Sequence, residues 1–199
     1  MLRLSPTIER ALQQLRAYQA EVTSDFALGI MSEGPVTCHK NCNHCCHYPL
    51  YITPLEGMMI YRWMTENRRW SHVLRERLVT TDEQTWRLSV EVWLLSNIPC
   101  PLLGGDGLCQ GYTCRPTVCR TVYSRGDADL CHPHRFLQAP LVSRRDVMEK
   151  WSRIEQGVLK QPLTAIPLST AVLLGERICK GDVDLRDCNP MSVGGLRKW

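Results

Sequence analysis

Apolar side chains recur at helical spacing over most of the chain, and this pattern predicts a mainly α-helical protein. Ser5-Pro6 has the features of a helix N-cap followed by proline at the first helical position. The apolar positions that follow it at helical spacing are Ala11, Leu15, Tyr18, Val22 and Phe26. We predict a first helix from about Thr7 to Gly29, with Gly34-Pro35 preventing any continuation.

A capping box marks the start of the second predicted helix. In Thr53-Pro54-Leu55-Glu56 the threonine hydroxyl can accept a hydrogen bond from an early backbone N–H, while Glu56 reaches back to the cap. Proline suits the first helical position, because the N–H that it lacks would have no partner there. The helix should run to about Asn67 and bury one stripe, which consists of Leu55, Met58, Met59 and Trp63.

Three further helical segments are predicted towards the C-terminus. The first extends from Ser71 to Asn97, with a break near Thr80-Thr81-Asp82 where the aspartate would cap a second half. The apolar positions of that half are Trp86, Val90, Trp93 and Leu94. Rings at this spacing are typical of a core, and no basic groove accompanies them that would suit nucleic acid. The other segments run from about Ser143 to Lys160 and from Pro167 to Lys180, the latter closed by Gly181.

Two cysteine-rich segments, residues 38–47 and 100–134, separate these helices and have no apolar periodicity. The first holds four cysteines and three histidines, so we interpret it as a loop shaped by what it binds. We predict a single domain over residues 1–199, a small helical domain with an irregular cysteine-rich metal-binding centre and few or no strands. Residues 182–199 are predicted to form a loosely ordered tail.

Charge and hydropathy narrow the classes of partner. The net charge is +4, but the basic residues are scattered among nearly as many acids, so no nucleic-acid surface is predicted. No apolar run is long enough for a signal peptide or a membrane span. We therefore expect a cytoplasmic protein without a membrane partner. In that reducing compartment, eleven cysteines favour metal or cluster binding over disulfides.

The spacing of the thiols bears on the kind of metal centre. Thiolates are soft donors that suit zinc, iron and iron–sulfur clusters, and Cys42 and Cys45 form a closely spaced pair of such donors. Cys45 and Cys46 are adjacent, so we expect their side chains to point in different directions and not to share one tetrahedral ion. That favours a cluster or two neighbouring metals, and makes the first run half of a site that the second run completes.

The second run reads Cys100-Pro101-Leu102-Leu103, then Cys109, Tyr112, Cys114, Arg115-Pro116 and Cys119-Arg120. With the first run and the Thr-x-x-Glu helix start, it resembles the CxxCxxCC family of zinc- or iron-chelating domains from Cys38 to Tyr123. The resemblance implies metal-ligand roles for Cys38, Cys42, Cys45, Cys46, Cys100, Cys109 and Cys119. The chain departs from the family pattern in three ways: three residues, where two are usual, separate Cys38 from Cys42; glycine occupies position 111, where a β-branched residue is common; and Cys114 is additional.

Several residues outside that set are further candidates. Arg115 and Arg120 are placed to offset excess thiolate charge through N–H···S bonds. Cys114 and Cys131 are additional ligand candidates, and the histidines of the two segments could ligate, tune a thiolate or face solvent. We expect Cys179 and Cys188 to be ordinary thiols of the fold.

The sequence leaves more than one function open. The main hypothesis is a metal-binding protein holding zinc, iron or an iron–sulfur cluster, with iron or a cluster favoured because seven thiols exceed what one zinc requires. A distant similarity to flagellin lysine N-methylases suggests an alternative, a protein N-methyltransferase dependent on an iron–sulfur cluster and S-adenosylmethionine. A third hypothesis is that the protein is a structural-zinc module that binds a protein partner. No complete catalytic motif is present to decide whether the protein is an enzyme.

Overall fold

The structure, a computed structural model, confirms a mainly α-helical fold. It describes residues 4–32, 36–38, 41–138, 141–143, 145–160, 163–188, 192–197 and 199. The helices are α1 (Pro6–Ser32), α2 (Pro54–Glu66), α3 (His72–Thr85), α4 (Val90–Leu95), α5 (Val118–Thr121), α6 (Arg145–Leu159), α7 (Leu168–Lys180) and α8 (Val193–Leu196). The strands are β1 (Tyr51–Ile52), β2 (Val122–Ser124), β3 (Leu141–Ser143) and β4 (Ile166–Pro167).

The predicted helix starts agree well with the structure. Helix α1 begins at Pro6 and ends at Ser32, slightly beyond the predicted end, while Gly34-Pro35 lies outside the described residues. The hydroxyl of Thr53 accepts a hydrogen bond from the Glu56 backbone N–H at 3.3 Å, which confirms the predicted cap of α2. Helix α7 ends at Lys180, and Gly181 caps it with a φ of 85°, the left-handed conformation expected at this position.

The predicted helix break near Asp82 is wrong. Helix α3 runs through this position to Thr85, and the cap of α4 is Ser89. Asp82 is fully buried, and its carboxylate accepts hydrogen bonds from the Arg197 guanidinium at 2.5 Å and the Trp199 indole at 2.7 Å, as well as from the Thr170 hydroxyl. These distant donors occupy the oxygens that would otherwise cap a helix.

The same contacts change the picture of residues 182–199. Sequence alone predicts a loosely ordered tail here. Among its described residues, Arg197 and Trp199 contact Asp82 of α3. Leu185, Cys188 and Val193 are buried in the core.

Helices α2 and α7 make the most extensive helix–helix contact in the described part of the chain. Gly57 of α2 faces the backbone of α7, where a Cβ atom at position 57 would lie 2.0 Å from the Ala171 carbonyl oxygen. Gly175 faces α2 in the same way, with its Cβ position 2.5 Å from the Met58 nitrogen. Two glycines thus allow backbone-to-backbone contact, and Leu55, Met58, Leu173 and Leu174 pack around it.

Short strands connect the cysteine segments to the helices. Strand β1 pairs with β4 in antiparallel register, Tyr51 opposite Pro167, and so joins the end of the first cysteine run to the start of α7. Strand β2 pairs with β3, Val122 opposite Ser143, and directly follows the helix that carries Cys119. Within the described residues, every helix is too short or too polar to cross a lipid bilayer.

Two buried glutamates lie beside the cap of α2. The Thr53 hydroxyl donates a hydrogen bond to Glu155 of α6 at 2.5 Å, while accepting one from the Glu56 N–H. Glu56 and Glu155 are each only 2% exposed. Burial raises the pKa of both carboxyls, that of Glu155 to about 8.

Glu155→Gln is expected to make stability less dependent on pH. The folded protein keeps the Glu155 proton up to a pKa of about 8, whereas the unfolded chain releases it near 4.5. Between these values the folded state binds more protons, so wild-type stability falls as pH rises, by on the order of a few kcal/mol from this group. Denaturant unfolding of both proteins at pH 5 and pH 8 measures the difference. If the free energy of unfolding changed equally between pH 5 and pH 8 in the two proteins, the raised pKa of Glu155 would be contradicted.

Candidate metal centre

The first cysteine run is a tight, irregular loop in the structure. Residues His44–His47 form a 3-10 turn, and Asn41 has a left-handed φ of 78°, a conformation that asparagine tolerates. His39 and Lys40 lie outside the described residues. The turn places the thiols of Cys45 and Cys46 at the start of the path that leads through β1 into α2.

The thiols of Cys45 and Cys46 interact directly. The neighbouring Cys46 thiol lowers the pKa of Cys45 to about 7, and the Cys45 thiol raises the pKa of Cys46. The sequence suggests that these adjacent side chains point in different directions, yet the 3-10 turn leaves the two thiols close enough to affect each other. Adjacency alone no longer argues against a shared metal.

The second run folds back on itself before it reaches Cys119. An isolated bridge pairs Leu103 with Cys109, around a turn that contains Gly107 with φ of 75°. The Asn43 amide of the first run donates to the Gly107 carbonyl at 3.3 Å, so the two runs already touch at this turn. Cys114 lies in a following 3-10 turn, and Cys119 lies in α5.

The structure brings thiols of both runs together. The Cys100 backbone N–H donates to the Cys46 carbonyl at 2.6 Å, which fixes the two segments side by side. Burial and then the proximity of Cys109 and Cys45 raise the pKa of Cys100 to about 12. Cys119 keeps an exposed surface, but protein atoms crowd its thiol and raise its pKa well above the usual value, with Cys100 and Cys45 adding to the shift. The first thiol group is thus formed by Cys45, Cys46, Cys100, Cys109 and Cys119.

Cys38, Cys42 and Cys131 form a second thiol group beside the first. Burial raises the pKa of Cys38, and the nearby thiols of Cys42, Cys45 and Cys131 raise it further. The Ser124 N–H points at the Cys38 sulfur at 3.3 Å. The Tyr48 hydroxyl donates to the Cys131 carbonyl at 2.5 Å, and so ties the buried Cys131 to the first run.

The thiols of both groups are gathered but not arranged as a finished site. Among the described residues, no three Cys, His, Asp or Glu side chains already have the geometry of a metal site. The described residues include all eleven cysteines, and no disulfide joins any of them. A metal would therefore have to draw the sulfurs closer as it displaces their protons.

The two arginines of the second run differ in their surroundings. Arg115 stacks on the Tyr112 ring at 4.0 Å, and its Nε is buried without a hydrogen-bond partner in the described part of the chain. The neighbouring Cys46 thiol has the larger effect in lowering the pKa of Cys45, and the charge of Arg115 adds to it. Arg120 instead donates to the carbonyl oxygens of Thr113 at 2.7 Å and of Arg115 at 3.0 Å. Arg115 is thus the better candidate for N–H···S bonding, and Arg120 shapes the loop.

Gly111 and Cys114, the two departures from the family pattern in the second run, lie against each other. A Cβ atom at Gly111 would lie 3.3 Å from the Cys114 sulfur and 3.0 Å from the Met64 Cε. The sulfur of the additional cysteine therefore uses the space that a branched side chain at position 111 would need. Burial raises the pKa of Cys114 to about 12, and it packs against the apolar core.

The remaining candidates lie around the two groups or away from them. The His44 and His132 rings meet edge to face at 6.3 Å, and His47 Nδ1 lies 3.3 Å from the Asn97 carbonyl oxygen. Cys179 and Cys188 are buried in the core at 2% and 1% exposure, away from both cysteine runs.

Sequence reasoning overlooked one residue that connects the two runs. Glu56 was predicted only as part of a capping box, but its carboxylate also accepts the Thr117 backbone N–H at 2.8 Å. Nothing in local spacing could indicate this contact, since the two residues are far apart in the chain.

A comparison with known families bears on the chemistry of these thiol groups. The family CxxCxxCC, described as "Putative zinc- or iron-chelating domain", matches residues 37–140, more than half of the chain. The match includes every cysteine except Cys179 and Cys188. No curated protein and no solved structure matches the chain. The chain therefore belongs to the CxxCxxCC family of zinc- or iron-chelating domains.

Proposed function

We propose that the protein binds zinc or iron through thiols of both cysteine runs, with Cys45, Cys46, Cys100, Cys109 and Cys119 as the main ligands. One observation carries the proposal. The 2.6 Å hydrogen bond from the Cys100 N–H to the Cys46 carbonyl holds the two cysteine runs side by side. Soft thiolates gathered in this way suit zinc, iron or an iron–sulfur cluster.

The number of thiols favours a centre with more than one metal atom. Four thiolates complete a zinc site, whereas the first group alone contains five and the second group adds Cys38, Cys42 and Cys131. Cys45 interacts with members of both groups, so it can serve as the bridge between them. An iron–sulfur cluster or two neighbouring ions would use these donors, and we favour iron on this ground.

Anaerobic purification followed by metal analysis and an absorption spectrum tests the proposal. Iron with acid-labile sulfide and broad absorption at about 400 nm would support an iron–sulfur cluster. Two zinc ions in a colourless protein would support a binuclear site and exclude the cluster. A protein that takes up neither metal would contradict the proposal. Calorimetry with S-adenosylmethionine then tests the methyltransferase alternative, which requires a loaded cluster.

Arg115→Gln is expected to weaken metal binding about tenfold, because the guanidinium offsets the negative charge of the thiolates beside it. Arg120→Gln is the matched comparison, since this guanidinium bonds to backbone oxygens. It should lower the stability of the metal-free and metal-bound forms alike. Competition with a chromogenic chelator measures the metal affinity of both variants. Unchanged affinity in Arg115→Gln would remove this role from Arg115.

A further inference from the structure

A buried carboxylate lies between the two cysteine runs. Glu56 is in the first turn of α2, directly after the first run, and is 2% exposed. Its carboxylate accepts a hydrogen bond of 2.8 Å from the backbone N–H of Thr117. Thr117 is the residue before α5, the short helix that carries Cys119. One side chain thus links the start of α2 to the residue that precedes α5.

The surroundings of Glu56 hold its carboxylate in one orientation. It also interacts with the Thr117 hydroxyl and with the backbone of Thr53. The Gln19 amide of α1 reaches the same Thr117 hydroxyl at 3.4 Å. A buried carboxylate needs such donors, and each donor it holds is fixed in return. The N–H of Thr117 and the N–H of Thr53 belong to the two segments that deliver the thiols.

We infer that Glu56 is a positioning residue for the metal centre, whose carboxylate holds α5, and with it Cys119, against the segment that carries Cys45 and Cys46. The inference rests on the proposed function for its effect on metal binding. Metal–sulfur distances tolerate only about 0.2 Å of change, so a small displacement of α5 is enough to lose a ligand. Glutamine at position 56 keeps the volume but brings an NH₂ donor towards N–H groups that also donate. Its single carbonyl oxygen can replace only one of the two carboxylate oxygens as an acceptor, so the contacts made by the other oxygen are lost.

The test compares Glu56→Gln with Glu176→Gln in the full chain. Glu176 is equally buried, at 2% exposure, but bonds to Arg75 at 2.8 Å and Lys180 at 2.7 Å, on helices that carry no cysteine of either run. We expect Glu56→Gln to lower the affinity for Zn²⁺ by tenfold or more, in competition with a chelator. Glu176→Gln should lose stability without this loss of affinity. Zinc affinity in Glu56→Gln equal to that of the wild type would overturn the inference and leave the proposed function intact.

A second readout does not depend on metal. Mass spectrometry of alkylated, metal-free protein gives the reaction rate of each thiol, and Cys119 should react several-fold faster in Glu56→Gln than in the wild type. The buried Cys179 and Cys188 serve as internal controls for global unfolding. If the wild type binds no metal, the proposed function fails, but the alkylation rate of Cys119 still tests the inference about Glu56. An unchanged Cys119 rate in Glu56→Gln would overturn that inference.

Thr117→Val provides the same test if Glu56→Gln does not fold. This variant keeps the shape and the backbone N–H at position 117 but removes the hydroxyl that interacts with Glu56. A smaller increase in Cys119 reactivity, with Cys179 unchanged, is expected. Wild-type reactivity at Cys119 would count against the positioning role.

Discussion

Cys46→Ser or Cys109→Ser is expected to abolish tight metal binding and to remove most of the stability that the metal provides. Each thiol belongs to the first thiol group, and serine is a poor ligand for a soft ion. A bound metal present at about 1,000 times its dissociation constant contributes about 4 kcal/mol to the free energy of unfolding, and the variants should lose about this amount. Metal analysis and thermal unfolding with and without chelator measure both effects.

The control for these variants is Cys179→Ala. Cys179 is a buried thiol in α7 that packs in the apolar core, so its loss should cost stability through packing alone. The variant should retain the metal content of the wild type, and chelator should destabilise it as much as it destabilises the wild type. Full metal content in Cys46→Ser or Cys109→Ser would mean that other thiols are the ligands.

Gly57→Ala is expected to cause the largest loss of stability away from the cysteines, at least about 3 kcal/mol. The added methyl group would lie 2.0 Å from the Ala171 carbonyl oxygen and 2.3 Å from its carbon. These are backbone atoms of α7, so no side-chain rotation can relieve the overlap, and the two helices must separate. Denaturant unfolding of the variant measures this cost.

Gly157→Ala is the matched comparison in α6, where the added methyl group would meet no atom within 4 Å. The same substitution should raise stability there by about 0.5 to 1 kcal/mol, because alanine favours a helix. A loss in both variants would show that the contact between α2 and α7 is not what makes position 57 sensitive.

The starts of the helices were predictable because capping is a local property. Thr53 and the stripe of Leu55, Met58 and Met59 depend on neighbours in sequence, and the structure shows the cap and the burial of these three side chains. Trp63, the fourth residue predicted in this stripe, is only partly buried. Asp82 had an equally good local reason to cap a helix. Its actual partners, Thr170, Arg197 and Trp199, come from distant segments, so the local pattern could not indicate them.

In the candidate site too, features set by local sequence were predictable, and contacts between distant segments were not. Spacing and family resemblance identified the cysteine residues, because the kinds of donor and their order are written in the sequence. The effect of the Cys45 and Cys46 thiols on each other depends on a 3-10 turn that apolar periodicity does not predict. The link between Glu56 and Thr117 depends on how α2 packs beside the second run.

Thiol protection during a metal titration tests the central claim most directly. Increasing amounts of Zn²⁺ or Fe²⁺ are added to anaerobic protein, and alkylation at each cysteine is measured by mass spectrometry. If both runs bind the same centre, Cys45 and Cys46 should become protected together with Cys100, Cys109 and Cys119, at one metal concentration, and a chelator should reverse this. Protection confined to one run, or two runs protected at separate metal concentrations, would contradict a shared centre.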